Sequence, residues 1–262
     1  MLTLLSPAKN LDLSPVNMAI EVTAPAMQSQ TAQLAKIAKG LSAQDLKDLM
    51  HISDNLAELN AQRFKTFTLK GQSNSAGPAA LTFNGDVYGG LDARSLDKNA
   101  LEFAQDNLRI LSGLYGVLRP LDALQPYRLE MGIKLANPKG KSLYDFWGNQ
   151  ISLRLNATLK GHKHHSVINL ASNEYFKAVD KKALTAPVIS PRFVEVKDGK
   201  ARVLSFYAKR ARGLMARWII EGRIDAPDDI FGFESEGYRY DGDNSTDAVP
   251  VFSRPQPAPK NG

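Results

Sequence analysis

The side chains best suited to chemistry stand in three short polar segments, each behind an apolar run. Ser6 and Lys9 follow Leu2–Leu5, Ser172 and Glu174 follow Val167–Leu170, and Lys209 and Arg210 follow the stretch that ends at Phe206. Polar loops after buried strands are where α/β proteins place their ligands. If the three strand ends converge, they form a Ser/Lys/Glu/Arg pocket for a phosphate or a nucleotide. Asp86, in Gly85-Asp86-Val87-Tyr88-Gly89-Gly90, either pairs with Glu174 as an acid/base couple or holds an arginine in place. The glycines of that segment are too few and wrongly spaced for a Walker loop or a dinucleotide-binding turn. This set supports an uncharacterised enzyme acting on a nucleotide or nucleic acid, a reading that depends on the strand ends facing one pocket.

The cations point elsewhere. The net charge is +6 over 262 residues, and it is unevenly spread. Arg192–Arg223 holds nine Lys/Arg against three acids, whereas the residues from Ile224 onward hold three against eight. Segregated positive charge suits a phosphate partner, although a solvated charged face has the same composition. Wound as a helix, residues 205–220 gather Tyr207, Ala211, Leu214, Met215 and Trp218 on one face, with Lys209, Arg210, Arg212 and Arg217 on the other. Gly213 in mid-helix costs about 1 kcal/mol relative to Ala, which close backbone approach would explain.

A second basic region begins at Arg109. In Leu108–Asp122, Gly113 and Gly116 lie between apolar runs and near Arg119, a pattern like the turn of a helix-hairpin-helix. There, glycines let backbone N–H groups reach a phosphate. The spacing is one residue longer than the usual Gly-x-Gly, and a strand at Leu108–Leu111 with a tight structural turn fits equally. Tyr115, inside that turn, is a candidate for stacking on an unpaired base. Arg128 extends the same basic region.

Other chemistry is excluded or unsupported. There are no cysteines, hence no disulfide and no thiolate site. His162, His164 and His165 share a loop that has no carboxylate to complete a metal site, so neither metal nor cofactor is expected. No apolar segment is long enough for a membrane span, and Met1–Leu5 is too short for a signal core, so the expected location is cytoplasmic. Patterning predicts an α/β fold, a mixed sheet with surrounding helices, in one compact domain over residues 1–253. A flexible loop is expected at 71–78 and a frayed proline-rich tail at 254–262. Helices are expected near 28–39, 42–50, 53–65, 98–107, 143–160 and 205–220. A β-hairpin should turn at Asp198-Gly199.

Several of these phrases, taken in order, resemble the peroxide stress protein YaaA family: Ser6-Pro7-Ala8-Lys9, Gly85-Asp86-Val87-Tyr88, Leu111–Asp122, Pro126-Tyr127-Arg128-Leu129-Glu130-Met131-Gly132, Leu170–Lys177 and Ala208–Arg217. The resemblance spans nearly the whole chain; Asn173 stands where an Asp is expected. It implies a role in surviving hydrogen peroxide, a positively charged cleft, a helix-hairpin-helix-like element and duplex-DNA binding. It supplies no established catalytic activity. On this reading, DNA lies between residues 109–132 and 205–223, held by its phosphates, with distorted duplexes preferred. The remaining alternative is a module whose basic face meets an acidic protein.

Overall fold

Strand β1, Leu2–Leu5, is buried at all four residues, three of them leucines, as a strand covered on both faces requires. In the computed structural model, which describes residues 1–16, 18, 20–69 and 76–258, β1 lies at the centre of a five-stranded sheet. On one side β2 (Leu108–Ser112) runs parallel to it, and β3 (Gly116–Leu118) folds back antiparallel at that edge. On the other side β4 (Val167–Asn169) runs parallel, followed by β5 (Val188–Ile189). The chain leaves β1 toward β2 and later returns to the opposite flank to lay down β4. The carboxyl ends of β1 and β4 therefore flank the point where strand order reverses, the place where open α/β sheets bind ligands.

A second sheet has the order β7-β6-β9-β8, built from β6 (Arg192–Lys197), β7 (Lys200–Arg202), β8 (Arg239–Thr246) and β9 (Val249–Pro255). The turn between β6 and β7 carries positive φ at both Asp198 (52°) and Gly199 (69°), as a type I′ hairpin requires. The hairpin pairs only Glu195–Lys197 with Lys200–Arg202: Val188–Ile189 belongs to the first sheet, and the chain becomes helical at Ser205. One contiguous core joins the sheets, running from Leu2 and Leu4 through Tyr115 and Trp147 to Phe193 and Phe252.

Helices α1 (Gln28–Lys39), α2 (Ala43–Met50) and α3 (Asp54–Thr66) follow the predicted pattern, and Ser42 with Asp45 closes a capping box on α2. Next come α4 (Asp86–Leu91) and α5 (Lys98–Asn107), the latter capped by Asp97. The helix expected over 143–160 is two, α6 (Leu143–Trp147) and α7 (Gln150–Leu159), because Gly148 takes φ 48° between them. A single turn, α8 (Asn173–Phe176), follows β4, and α9 (Ser205–Glu221) is the long basic helix. An added Cβ at Gly213 would sit 1.8 Å from the Val87 carbonyl oxygen, and one at Gly90 would sit 2.2 Å from that of Arg210. Helices α4 and α9 thus touch backbone to backbone, the close approach expected for Gly213.

Other expectations change as well. Leu108–Leu118 is a pair of antiparallel strands, so the helix-hairpin-helix-like element is a β-hairpin there. The helices joined by a short turn are α2 and α3, through His51–Ile52–Ser53. The proline-rich tail begins later than expected, because β9 carries pairing to Pro255 and Arg254 is buried. The acidic Asp241–Asp247 segment forms most of β8. Of the expected loop, 71–75 lies outside the described residues, while Gly77–Pro78 pairs with Ala123–Leu124.

Candidate functional site

The ends of β1 and β4 meet, whereas Lys209 and Arg210 lie within α9 rather than at a strand end. Ser6, just past β1, accepts a hydrogen bond from the Ser172 backbone N–H at 2.8 Å, and its hydroxyl lies 3.3 Å from that of Ser172, just past β4. The Ser6 carbonyl accepts from the Tyr88 hydroxyl at 3.0 Å, tying in α4. Lys209 reaches Asp86 at 3.9 Å, and Arg210 donates to the Gly89 carbonyl at 3.2 Å, so both cations of α9 contact α4. Asp86 and Glu174 do not form a couple. Asp86 faces Lys209, whereas Glu174 accepts from the Gly132 N–H at 2.9 Å.

Glu130, which has no sequence signature of a role, and Tyr144 lie beside these segments. Glu130 draws Arg128 to 3.0 Å and Lys9 to 3.5 Å through its Oε1, while its buried Oε2 has no partner. Tyr144 donates to the Glu174 carbonyl at 2.9 Å, and the Lys177 ammonium sits 4.9 Å above its ring. Tyr88, Tyr127 and Tyr175 wall the inner side, and burial pushes all three phenols above their usual range, so they stay protonated hydrogen-bonding groups. The one local signal at Glu130 is the alternation in Arg128-Leu129-Glu130, since residues two apart on extended backbone share a face, and it carries no trace of Lys9.

The second basic region is used internally. Arg109 is buried and donates to the carbonyls of Gln105 (2.8 Å) and Leu108 (2.7 Å); burial and the nearby Arg119 lower its pKa to about 10. Gly113 is small because the Leu129 carbonyl stands 2.2 Å from where a Cβ would be, and Gly116, at φ 69°, leaves room for Trp147 and Met27. Arg119 is clamped by Asp122 at 3.0 Å. Tyr115 is fully buried, its hydroxyl accepting from the Gln125 N–H at 3.0 Å and its ring set edge-on to Tyr127. It cannot stack on a base. Tyr115→Phe should instead destabilise by about 1–3 kcal/mol, because a buried N–H loses its acceptor, and urea unfolding checks this.

On α9 the cations divide. Arg210 pairs with Glu236 at 2.6 Å and holds that carboxylate below its usual range. Arg217 donates to the Leu91 and Asp92 carbonyls and to Ser95 Oγ, and meets Glu221 at 2.7 Å. Burial lowers the pKa of Arg212. Lys209 is about half exposed. Farther out, Lys197, Lys200 and Arg202 are exposed and make no ion pair among the described residues. Cross-strand register sets Lys197 directly against Lys200. Phe206, 58% exposed, stands in the first turn of α9 beside this hairpin. Composition marked the segment as basic but could not separate paired from free cations.

Among the described residues no group of His, Cys, Asp or Glu is placed to hold a metal ion, and no helix is long and apolar enough to cross a membrane. The model of the peroxide stress protein YaaA family matches residues 1–244. A UPF0246 protein of Phenylobacterium zucineum is 55% identical over 259 residues, covering 99% of this chain and 97% of its own. Another, from Caulobacter vibrioides, is 54% identical over 257 residues, covering 98% of this chain and all of its own. With the model matching over most of its length and relatives this close along the whole of it, the chain belongs to the peroxide stress protein YaaA family.

Proposed function

We propose that the protein serves the peroxide-stress response by binding duplex DNA through its phosphate backbone, at the β6–β7 hairpin and the first turn of α9. One observation carries this reading. Lys197 and Lys200 face each other across the hairpin with Arg202 beside them, and none of the three is neutralised by the protein. Like charges set directly opposite destabilise a sheet, and a bound phosphate turns that repulsion into attraction. Lys209 extends the row from the helix side. The internally paired Arg109, Arg119, Arg128, Arg210 and Arg217 hold the fold together instead. Contacts of this kind position a duplex without reading its sequence, so unrelated duplexes should bind alike.

Phe206 takes the stacking role first expected of Tyr115. It is an exposed ring in the first turn of α9, between Arg202 and Lys209 in sequence, and it can stack on a base that has already left the helix. Bulged duplexes should therefore bind about tenfold more tightly than perfect ones, and Phe206→Ala should abolish that margin while leaving perfect-duplex affinity nearly unchanged. Competition between bulged and perfect duplexes of equal length measures it. Equal affinity in the wild-type protein would leave charge attraction alone as the account.

A further inference from the structure

We propose that the groove at the amino ends of β1, β2 and β4 is a binding site for a small oxyanion, a phosphate or a carboxylate. It holds about 400 Å³, and Met1, Asp106, Arg109, His162, Lys163 and Asp225 are among the residues that line it. Its most telling group is the Arg109 guanidinium, which is only 7% exposed. Nη1 donates to the Gln105 and Leu108 carbonyls. Nε and Nη2 donate to no group among the described residues, and neither is sealed within the protein. No described carboxylate comes within ion-pair distance of Arg109; Asp122 is taken by Arg119. Buried charges are ordinarily paired, and the Nε–Nη2 edge of a guanidinium is a fork that matches two oxygens of a carboxylate or phosphate.

The other groups of the groove fit the same ligand. The Met1 ammonium donates to His162 Nδ1 at 3.2 Å, so the imidazole keeps its proton on Nε2 as a further donor. Burial, then the Met1 ammonium and Arg109, hold the His162 pKa below its usual range against the opposing pull of Asp106. Lys163 is exposed and adds a third cation. An anion among these groups turns their mutual repulsion into attraction. Asp106 and Asp225 pair with no cation among the described residues, so they leave Arg109 unneutralised. Their charge repels an extended polyanion, which restricts the site to a small one and separates it from the duplex contact.

The experiment follows the His162 imidazole by NMR through a pH titration of the whole protein, with phosphate, acetate or chloride added at equal ionic strength. His162→Gln identifies its resonance. At least one oxyanion should raise the His162 midpoint by about 0.5 or more, because bound negative charge favours the imidazolium, and chloride should not. A response to phosphate alone or to acetate alone assigns the oxyanion. Arg109→Lys keeps the charge and loses the fork, and should weaken the tighter oxyanion about tenfold. Lys163→Gln changes an exposed loop residue, so it folds whatever becomes of Arg109→Lys, and it should weaken binding about threefold. Equal shifts in all three salts, a midpoint that ignores every salt, or affinity unchanged in a folded variant would overturn the site. So would a short duplex that shifts His162 more than either oxyanion.

Discussion

Replacing the buried Gly213 with alanine should cost about 3 kcal/mol or more, lowering Tm by roughly 6–12 °C. The new Cβ would stand 1.8 Å from the Val87 carbonyl oxygen and 2.7 Å from the Leu91 N–H nitrogen, and both are backbone atoms. Relief requires α9 to move off α4, which breaks the Arg210–Gly89 and Arg217–Leu91 hydrogen bonds that span the same contact. Gly161→Ala is the control. Its nearest neighbour would be the Thr158 carbonyl at 3.8 Å, so its effect should stay within about 0.5 kcal/mol. Thermal unfolding of both variants checks the contrast, and equal stabilities would show that the two helices have room between them.

Much of the architecture is legible from local pattern. Buried runs such as Leu2–Leu5, capping serines such as Ser42, and Asp198-Gly199 act within a few residues, so periodicity and turn chemistry reveal them. The strand-end centre was legible in part, because Ser6 and Ser172 follow apolar runs. Glu130 was not, since its partners Lys9 and Arg128 meet it only after β1 and the 126–132 segment come together. The same limit explains Tyr115. Glycines on either side suggested an exposed turn, yet Gly113 and Gly116 are small so that Leu129, Trp147 and Met27 can close over the hairpin. Arg254, in the stretch whose prolines predict a frayed tail, is instead buried between the rings of Tyr207 and Tyr238, paired with Glu195 and Glu236. An isolated arginine in a proline-rich stretch carries no trace of partners so distant in sequence.

The second large effect concerns the four cations of the proposed duplex contact, Lys197, Lys200, Arg202 and Lys209. Each neutralised phosphate releases counterions, so four contacts give a slope of log K against log salt of roughly −3.6, a loss of about 150-fold between 50 and 200 mM salt. Changing all four to Gln should flatten that slope toward zero and weaken binding alike for every sequence. All four side chains are exposed or half exposed, so circular dichroism should show the fold unchanged. The most direct measurement is titration of unrelated duplexes into the wild-type protein and this variant at several salt concentrations. The account predicts a steep, sequence-independent slope in the wild type and its loss in the variant. A steep slope that survives all four substitutions, or a wild-type protein indifferent to salt, would contradict it.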